Sequence, residues 1–352
     1  MAKKQREYWS RKPIMATGAD IMMIYGQNCA GKSYQVKEEC IEAAMRGERF
    51  FYLRRMVTEV NQTKATLYFD DMPINKLTGG LWDGITAYQG MFFFYKLNEK
   101  GEKEKSDYIG AYDSVYNWQK IKSVAWVNFT VIDFEEFIAA GVFLENEPTK
   151  LLRCITAIFR DNKGKVFMLG NTISRVVPYF QEWTPNVPKQ KQGTIELYHM
   201  KDEAGEGNEI TIAVEYGGHI KGTGPMFFGE ASKAIVAGEW DVSNRPKLPK
   251  DMIDYEMVYE LILEYQTFAF VLQLLVDDEN GQKILYVYPR TTDRKIERKI
   301  TDKFSDDIFT TRYFKDNKAE QYMVECIDNN RVCYSDNLTG SDFTNVIELM
   351  KL

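Results

Sequence analysis

Histidine is almost missing from this chain. Its 352 residues include only His199 and His219, far apart in sequence. That argues against a histidine-based zinc site and against a serine–histidine–aspartate triad. The five cysteines (Cys29, Cys40, Cys154, Cys326, Cys333) are scattered, odd in number and nowhere spaced C-x-x-C. They argue against a disulfide framework and make the cytoplasm the natural compartment. No apolar run reaches the about 18 residues that a membrane-spanning helix needs. The longest candidate, 268–276, is strand-length and interrupted by Gln273. Residues 1–12 are basic without an apolar core and do not read as a signal peptide. Lys+Arg 45 against Asp+Glu 51 gives a net charge of −6, which advertises no nucleic-acid partner. A local basic face is compatible with that sum.

What is abundant is apolar and aromatic material, 44% and 14% of the chain. It suffices for one large domain or two to three smaller ones. The most informative stretch is Gly26-Gln27-Asn28-Cys29-Ala30-Gly31-Lys32-Ser33. This is the complete phosphate-binding pattern G-x-x-x-x-G-K-[ST]. An apolar run, 21–25, precedes it as a predicted buried strand, and a predicted helix over 32–45, stopped by Gly47, follows. The glycines let the backbone close on a polyphosphate, and amides at the helix start, Tyr34 included, point at the anion. Lys32 would neutralise the outer phosphates and Ser33 would hold Mg²⁺, which makes ATP the expected ligand.

Strands and helices alternate through the first part, the mark of a mainly parallel α/β sheet. Predicted strands cover 49–53, 128–134 and 165–169, with a hairpin of 91–96 and 107–112 around a charged tip. A helix is predicted over 148–160, with Leu151, Leu152, Ile155 and Ile158 on one face. The pattern breaks at the polar stretch 202–208 and again at the glycine-rich 217–228. A helix is expected over 251–264. Hairpins follow at 267–276 with 283–288 and at 321–328 with 331–335, then a short helix at 343–350. The division expected is an ATPase domain over 1–200, a linker over 201–264 and a small α+β domain over 265–352.

ATP hydrolysis on such a sheet needs acids at the end of a neighbouring strand. Val131-Ile132-Asp133-Phe134-Glu135-Glu136 supplies them, with Glu135 as the metal-side acid and Glu136 as the base. Asp133 rivals Glu135, because the two share a strand face. A solvated acidic turn is the plain alternative. Asn171 ends the next strand, as a γ-phosphate sensor or as ordinary turn chemistry. Arg160 closes the following helix, as an arginine finger or as a cation favoured by the helix dipole. Arg54 and Arg55 end a strand on the same edge and would meet phosphate, metal-side acids, a neighbour or solvent. Lys120 and Lys122 sit in a loop that grips DNA phosphates or is merely solvated. A second basic stretch, 290–299, touches nucleic acid or forms an exposed helix face.

Together these motifs resemble the genome-packaging ATPases of small tailed phages of the phi-29-like type, relatives of terminase large subunits. The resemblance rests on the Gly26–Ser33 loop with its strand, on Phe51-Tyr52-Leu53-Arg54-Arg55 and on Trp118-Gln119 through Asn128. It continues with Phe134-Glu135-Glu136-Phe137-Ile138, Phe159-Arg160, and Leu169-Gly170-Asn171 leading to Val177-Pro178-Tyr179-Phe180. The family has an aspartate where Glu135 stands, which keeps Asp133 in play. The resemblance implies an ATP- and Mg²⁺-dependent translocase of double-stranded DNA, working in the host cytoplasm at the portal of the viral procapsid. It implies a homomeric ring, pentameric in the family, with Arg160 acting in trans and Lys120 and Lys122 facing DNA. A structural packaging RNA is a further partner to consider. The C-terminal domain is similar to an RNase H-type nuclease, here expected to be inactive. Its expected first strand, 268–276, carries Gln273 as its only interior polar residue.

Overall fold

The structure is a computed structural model that describes residues 8–139, 143–160, 163–184, 187–201, 209–218, 244–292 and 294–352. The polar break at 202–208, all but the start of the glycine-rich 217–228, and His219 lie outside them. The strands of the first sheet are β1 Ile21–Gly26, β2 Arg49–Arg54, β3 Gly84–Tyr88, β4 Met91–Leu97, β5 Lys103–Ser114, β6 Phe129–Glu135, β7 Lys165–Asn171, β8 Thr194–Lys201 and β9 Glu209–Tyr216. Their order is β3-β4-β5-β2-β6-β7-β1-β9-β8. From β5 across to β9 every pairing is parallel, and antiparallel strands close both edges.

A parallel strand in mid-sheet is covered on both faces and reads as a continuous apolar run. In β1, Met22 and Ile24 enter one core with Val36, Cys40 and Ile41 of the helix Lys32–Met45. Ile21, Met23 and Tyr25 enter the other with Leu151, Cys154 and Ile158 of the helix Glu147–Phe159. Leu152, expected on that helix's inner face, is 39% exposed. Its place at the interface is taken by Cys154, one turn from Leu151 and Ile158.

Pairing continues beyond residue 200. Strand β9 lies parallel to β1, with Ile21 opposite Ile212, and β8 turns back along it. The segment 201–264, expected as a linker, thus contributes a strand to each sheet. The second sheet holds β10 Tyr255–Tyr265, β11 Phe268–Asp277, β12 Lys283–Pro289, β13 Lys299–Thr301, β14 Thr310–Thr311 and β15 Val332–Tyr334. Its order is β14-β13-β10-β11-β12-β15, an antiparallel meander extended by parallel strands on both sides.

Two expectations are corrected here. Residues 251–264 form no α-helix: after one 3-10 turn at Met252–Asp254 they run as β10, between β11 and β13. Glu256, Glu260 and Glu264 recur at helical spacing, but pairing on both sides overrides that local signal. Conversely, 321–328 belongs to the helix Lys318–Asp328, not to a hairpin strand. Asn317 caps it by accepting a bond from the Glu320 amide at 2.9 Å, and Met323 and Cys326 bury one turn apart.

That helix also carries the anchor of the second sheet. Glu320, fully buried, accepts from Arg298 Nε and Nη2, both at 2.8 Å, from Tyr259 at 2.9 Å and from Asn317 Nδ2 at 3.0 Å. Burial alone would raise its pKa, but these donors outweigh it and hold the carboxyl down at about 2. A carboxyl with a depressed folded pKa stabilises above its unfolded pKa and loses that contribution as pH falls through the folded value. Stability should therefore fall as pH drops from 4.5 toward about 2. Urea unfolding across that window should show a flatter pH dependence in Glu320→Gln. Identical slopes in the two proteins would contradict this role.

Candidate ATP site

At the end of β1 the chain leaves the sheet through Gly26, at φ +141°, and enters the helix through Gly31, at φ +91°. Both values suit glycine. At Gly26 a Cβ would also sit 3.3 Å from the Gly217 backbone. Cys29, between them, adopts φ +57° without being glycine, an outlier of the kind found where a loop is shaped for a ligand. Lys32 is buried. Its ammonium donates to the carbonyls of Gly26 (3.3 Å) and Gln27 (2.7 Å) and to Asn171 Oδ1 (3.3 Å). Burial draws its pKa down to about 8, against the opposing pull of Cys29 and Glu135. The contact with Asn171 follows from register, because Gly26 lies opposite Asn171 in the parallel ladder. Ser33 and Tyr34 follow in the first turn, both half-buried.

The acids arrive from β6. Asp133 is fully buried. One of its oxygens accepts from the Tyr68 hydroxyl at 2.5 Å and the other has no hydrogen-bond partner. Burial and the neighbouring Glu135 push its carboxyl well up. Glu135 reaches the strand end, where the Tyr68 hydroxyl lies 3.1 Å away and Arg54 Nη1 3.6 Å away. Tyr68 is fixed by stacking on Tyr52, ring centroids 4.0 Å apart. Glu136, the next residue, has φ +58°. Its side chain is largely exposed and accepts from Arg54 Nη2 at 2.8 Å.

The two arginines divide. Arg54, ending β2, faces Glu135 and Glu136. Arg55, one residue on, is buried. Its Nε bonds both oxygens of the fully buried Glu147, at 3.0 and 2.8 Å. Its Nη1 and Nη2 donate to the carbonyls of Glu136 (3.1 Å) and Phe137 (2.8 Å). Arg55 thus holds the backbone of Glu136 in its left-handed conformation.

The structure brings Gly26–Ser33, Asn171, Arg54, Asp133, Glu135 and Glu136 to one edge of the sheet. It does not bring Arg160, Lys120 or Lys122 there. Arg160 ends the helix Glu147–Phe159, and its guanidinium donates to the Val124 carbonyl at 3.0 Å. Lys120 and Lys122 lie not in a loop but in the short helix Trp118–Lys122, Lys120 paired with Asp113 at 3.0 Å. The basic stretch 290–299 is not a helix face either. Arg290, Arg294 and Lys299 are paired with Glu264 and Glu260 of β10, and Arg298 is buried against Glu320. Tyr68 and Glu147 carried no signal in the sequence; each acts across the fold on a motif residue.

A parallel sheet with a glycine-shaped phosphate loop after one strand, and acids ending another strand on the same edge, defines a P-loop nucleotide-binding domain. The chain belongs to the Podovirus DNA encapsidation protein (Gp16) family, whose model matches residues 4–200. It is similar to the DNA packaging protein of Bacillus phage phi29, 23% identical over 325 residues that cover 88% of each chain. It is likewise similar to the DNA packaging protein of Bacillus phage B103, 28% identical over 280 residues, 75% of this chain and 79% of that one. Among solved structures it shares its fold with a chain of the bacteriophage phi-29 viral genome packaging motor assembly. The TM-score is 0.52 at 18% identity, covering 98% and 99% of the two chains.

Because Arg55 and Glu147 are buried together, removing one leaves the other charged and unpaired. Arg55→Ala should cost about 3–5 kcal/mol of stability by chemical denaturation. A loss below about 1 kcal/mol would contradict the anchoring role.

Proposed function

We propose that this DNA packaging protein is an ATP-driven translocase that moves double-stranded DNA through the portal into a preformed capsid. The observation that carries the reading is the Lys32 ammonium held between the phosphate-loop carbonyls and Asn171, on the sheet edge that bears Glu135 and Glu136. Those residues suit a Mg²⁺-bound triphosphate. The loop offers amides from Gln27 to Tyr34 and Lys32 offers a cation. Ser33 and Glu135 offer hard oxygen ligands. Asp133, buried under Tyr68, is the poorer metal ligand. The cation, once bound, would neutralise charge on the phosphate oxygens.

In this reading Lys32 exchanges its carbonyl partners for phosphate oxygens and Asn171 meets the γ-phosphate. Glu136 leaves Arg54 to orient and deprotonate the attacking water. Arg54, once released, is free to meet Glu135 or phosphate. Arg160, exposed and away from its own site, acts on a neighbouring subunit's site in a ring, pentameric by family resemblance. Lys120 and Lys122 face DNA in the channel, and a packaging RNA joins at the procapsid portal in the host cytoplasm. The first sheet forms the ATPase unit. The second is read as an RNase H-type unit without nuclease chemistry, kept for binding or assembly. Its first strand is β10 rather than 268–276, and the acids Glu260 and Glu264 on it are neutralised by arginine and lysine.

ATP turnover should rise when double-stranded DNA is added. In Glu136→Gln it should fall by about 10²–10⁴-fold, the contribution of a general base, with ATP binding retained. Turnover that survives Glu136→Gln would remove Glu136 from its role. Metal-dependent DNA cleavage by the full chain would contradict the absence of nuclease chemistry.

A further inference from the structure

The segments that follow the two catalytic strands meet one helix of the second sheet's unit. After Glu136 the chain runs through Phe137, Ile138 and Ala139 against the end of β7. The Phe137 amide donates to the Leu169 carbonyl at 3.1 Å. At Gly170 a Cβ would lie 2.9 Å from both Ile138 Cγ1 and Phe137 Cε1, so a larger residue would push these side chains aside at the crossing. After Asn171 the chain runs through Thr172 to Val176. The helix Asn337–Met350 docks on both segments. Asn345, fully buried, donates through one amide nitrogen to the carbonyls of Ala139 (3.0 Å) and Val176 (2.8 Å). Asp342, also fully buried, accepts from Ser174 Oγ (3.0 Å), from the Arg175 amide (2.9 Å), and from Arg175 Nε (3.0 Å) and Nη2 (2.8 Å). On the adjoining face the helix places Phe343 and Val346 in the second sheet's core.

We propose that Asn345 and Asp342 are positioning residues of the ATPase. Asn345 holds the base-bearing and sensor-bearing segments in one mutual arrangement, Asp342 fixes the same helix to the sensor-bearing segment, and together they pass a change between the segments to the second sheet. This rests on the roles given above to Glu136 and Asn171. The physical case is the geometry of the linkage. Three residues past Glu136 and five past Asn171, two backbone carbonyls share a single side-chain amide. Neither segment can shift against the other without breaking a buried hydrogen bond, whose loss is costly. The same helix is packed into the second core, so the alternative to breakage is movement of that core.

The test uses the full chain with Mg²⁺ and a non-hydrolysable ATP analogue. Amide hydrogen exchange in 337–350 should change on addition of the analogue, although the helix lies outside the phosphate loop. In Asn345→Leu that response should vanish. DNA-stimulated kcat should fall about ten-fold, within the range of such coupling energies, and KM for ATP should stay within about two-fold. Asp342→Asn preserves the shape of the side chain and guards against a misfolded first variant; it should show the same split in smaller measure. Unchanged exchange in the wild-type helix, or variants that lose melting temperature with kcat intact, would overturn the proposal. A wild-type exchange response together with turnover that survives Glu136→Gln would instead fault the site reading and leave the linkage standing.

Discussion

Everything at this site depends on the parallel register of β2, β6, β7 and β1. Gly26 stands opposite Asn171, Glu135 opposite Leu169, and Leu53 opposite Phe134. With that ladder fixed, four strands end together, and each delivers its polar residue to the same edge. The glycine-bounded loop, the acids, Asn171 and Arg54 need no long loops to meet. A one-residue slip would turn every side chain of a strand to the opposite face. It would turn Glu135 into the apolar face that now holds Ile132 and Phe134, and turn Phe134 toward Tyr68. The packing of both cores therefore holds the chemistry in place, because a slipped register would drive the charged Glu135 into an apolar face.

Adjacent residues on this edge do opposite jobs. Arg54, largely buried, pairs with the exposed Glu136 at 2.8 Å, a contact that solvent can readily replace, and lies 3.6 Å from the half-buried Glu135. Arg55 is buried with Glu147 and grips the carbonyls of Glu136 and Phe137. One arginine is therefore a removable partner of the acids and the other a permanent part of the frame. The left-handed backbone of Glu136, costing on the order of 1–3 kcal/mol, is held by that frame rather than by its own side chain. The frame continues through Phe137 to Ala139 and on to Asn345, so the strained residue sits between two buried anchors.

Much of the first sheet was legible because its signals are local. A glycine-bounded loop between an apolar run and a helix, and an apolar strand ending in acids, each announce themselves within about ten residues. Two errors in the second sheet arose where local and long-range signals conflict. Glutamates at 256, 260 and 264 mimic a helix until β11 and β13 pair with them. The helix Lys318–Asp328 was masked by the strand-like run Tyr322-Met323-Val324. In the site, the motif residues were visible and their supports were not. Tyr68, Glu147, Asp342 and Asn345 act on residues 65 or more positions away. No spacing rule reports that. Arg160, Lys120 and Lys122 lie away from the assembled site, Arg160 on the Val124 carbonyl and Lys120 on Asp113.

The central claim is that Gly26–Ser33 and the strand-end acids form one Mg²⁺–triphosphate site. The most direct measurement is the structure of the full chain with Mg²⁺ and a non-hydrolysable ATP analogue. The account predicts the triphosphate along residues 26–33, the cation between Ser33 and Glu135, Lys32 withdrawn from the carbonyls of Gly26 and Gln27, and Glu136 free of Arg54. A nucleotide bound away from the loop would contradict it, as would a cation held by Asp133 with Glu135 turned aside.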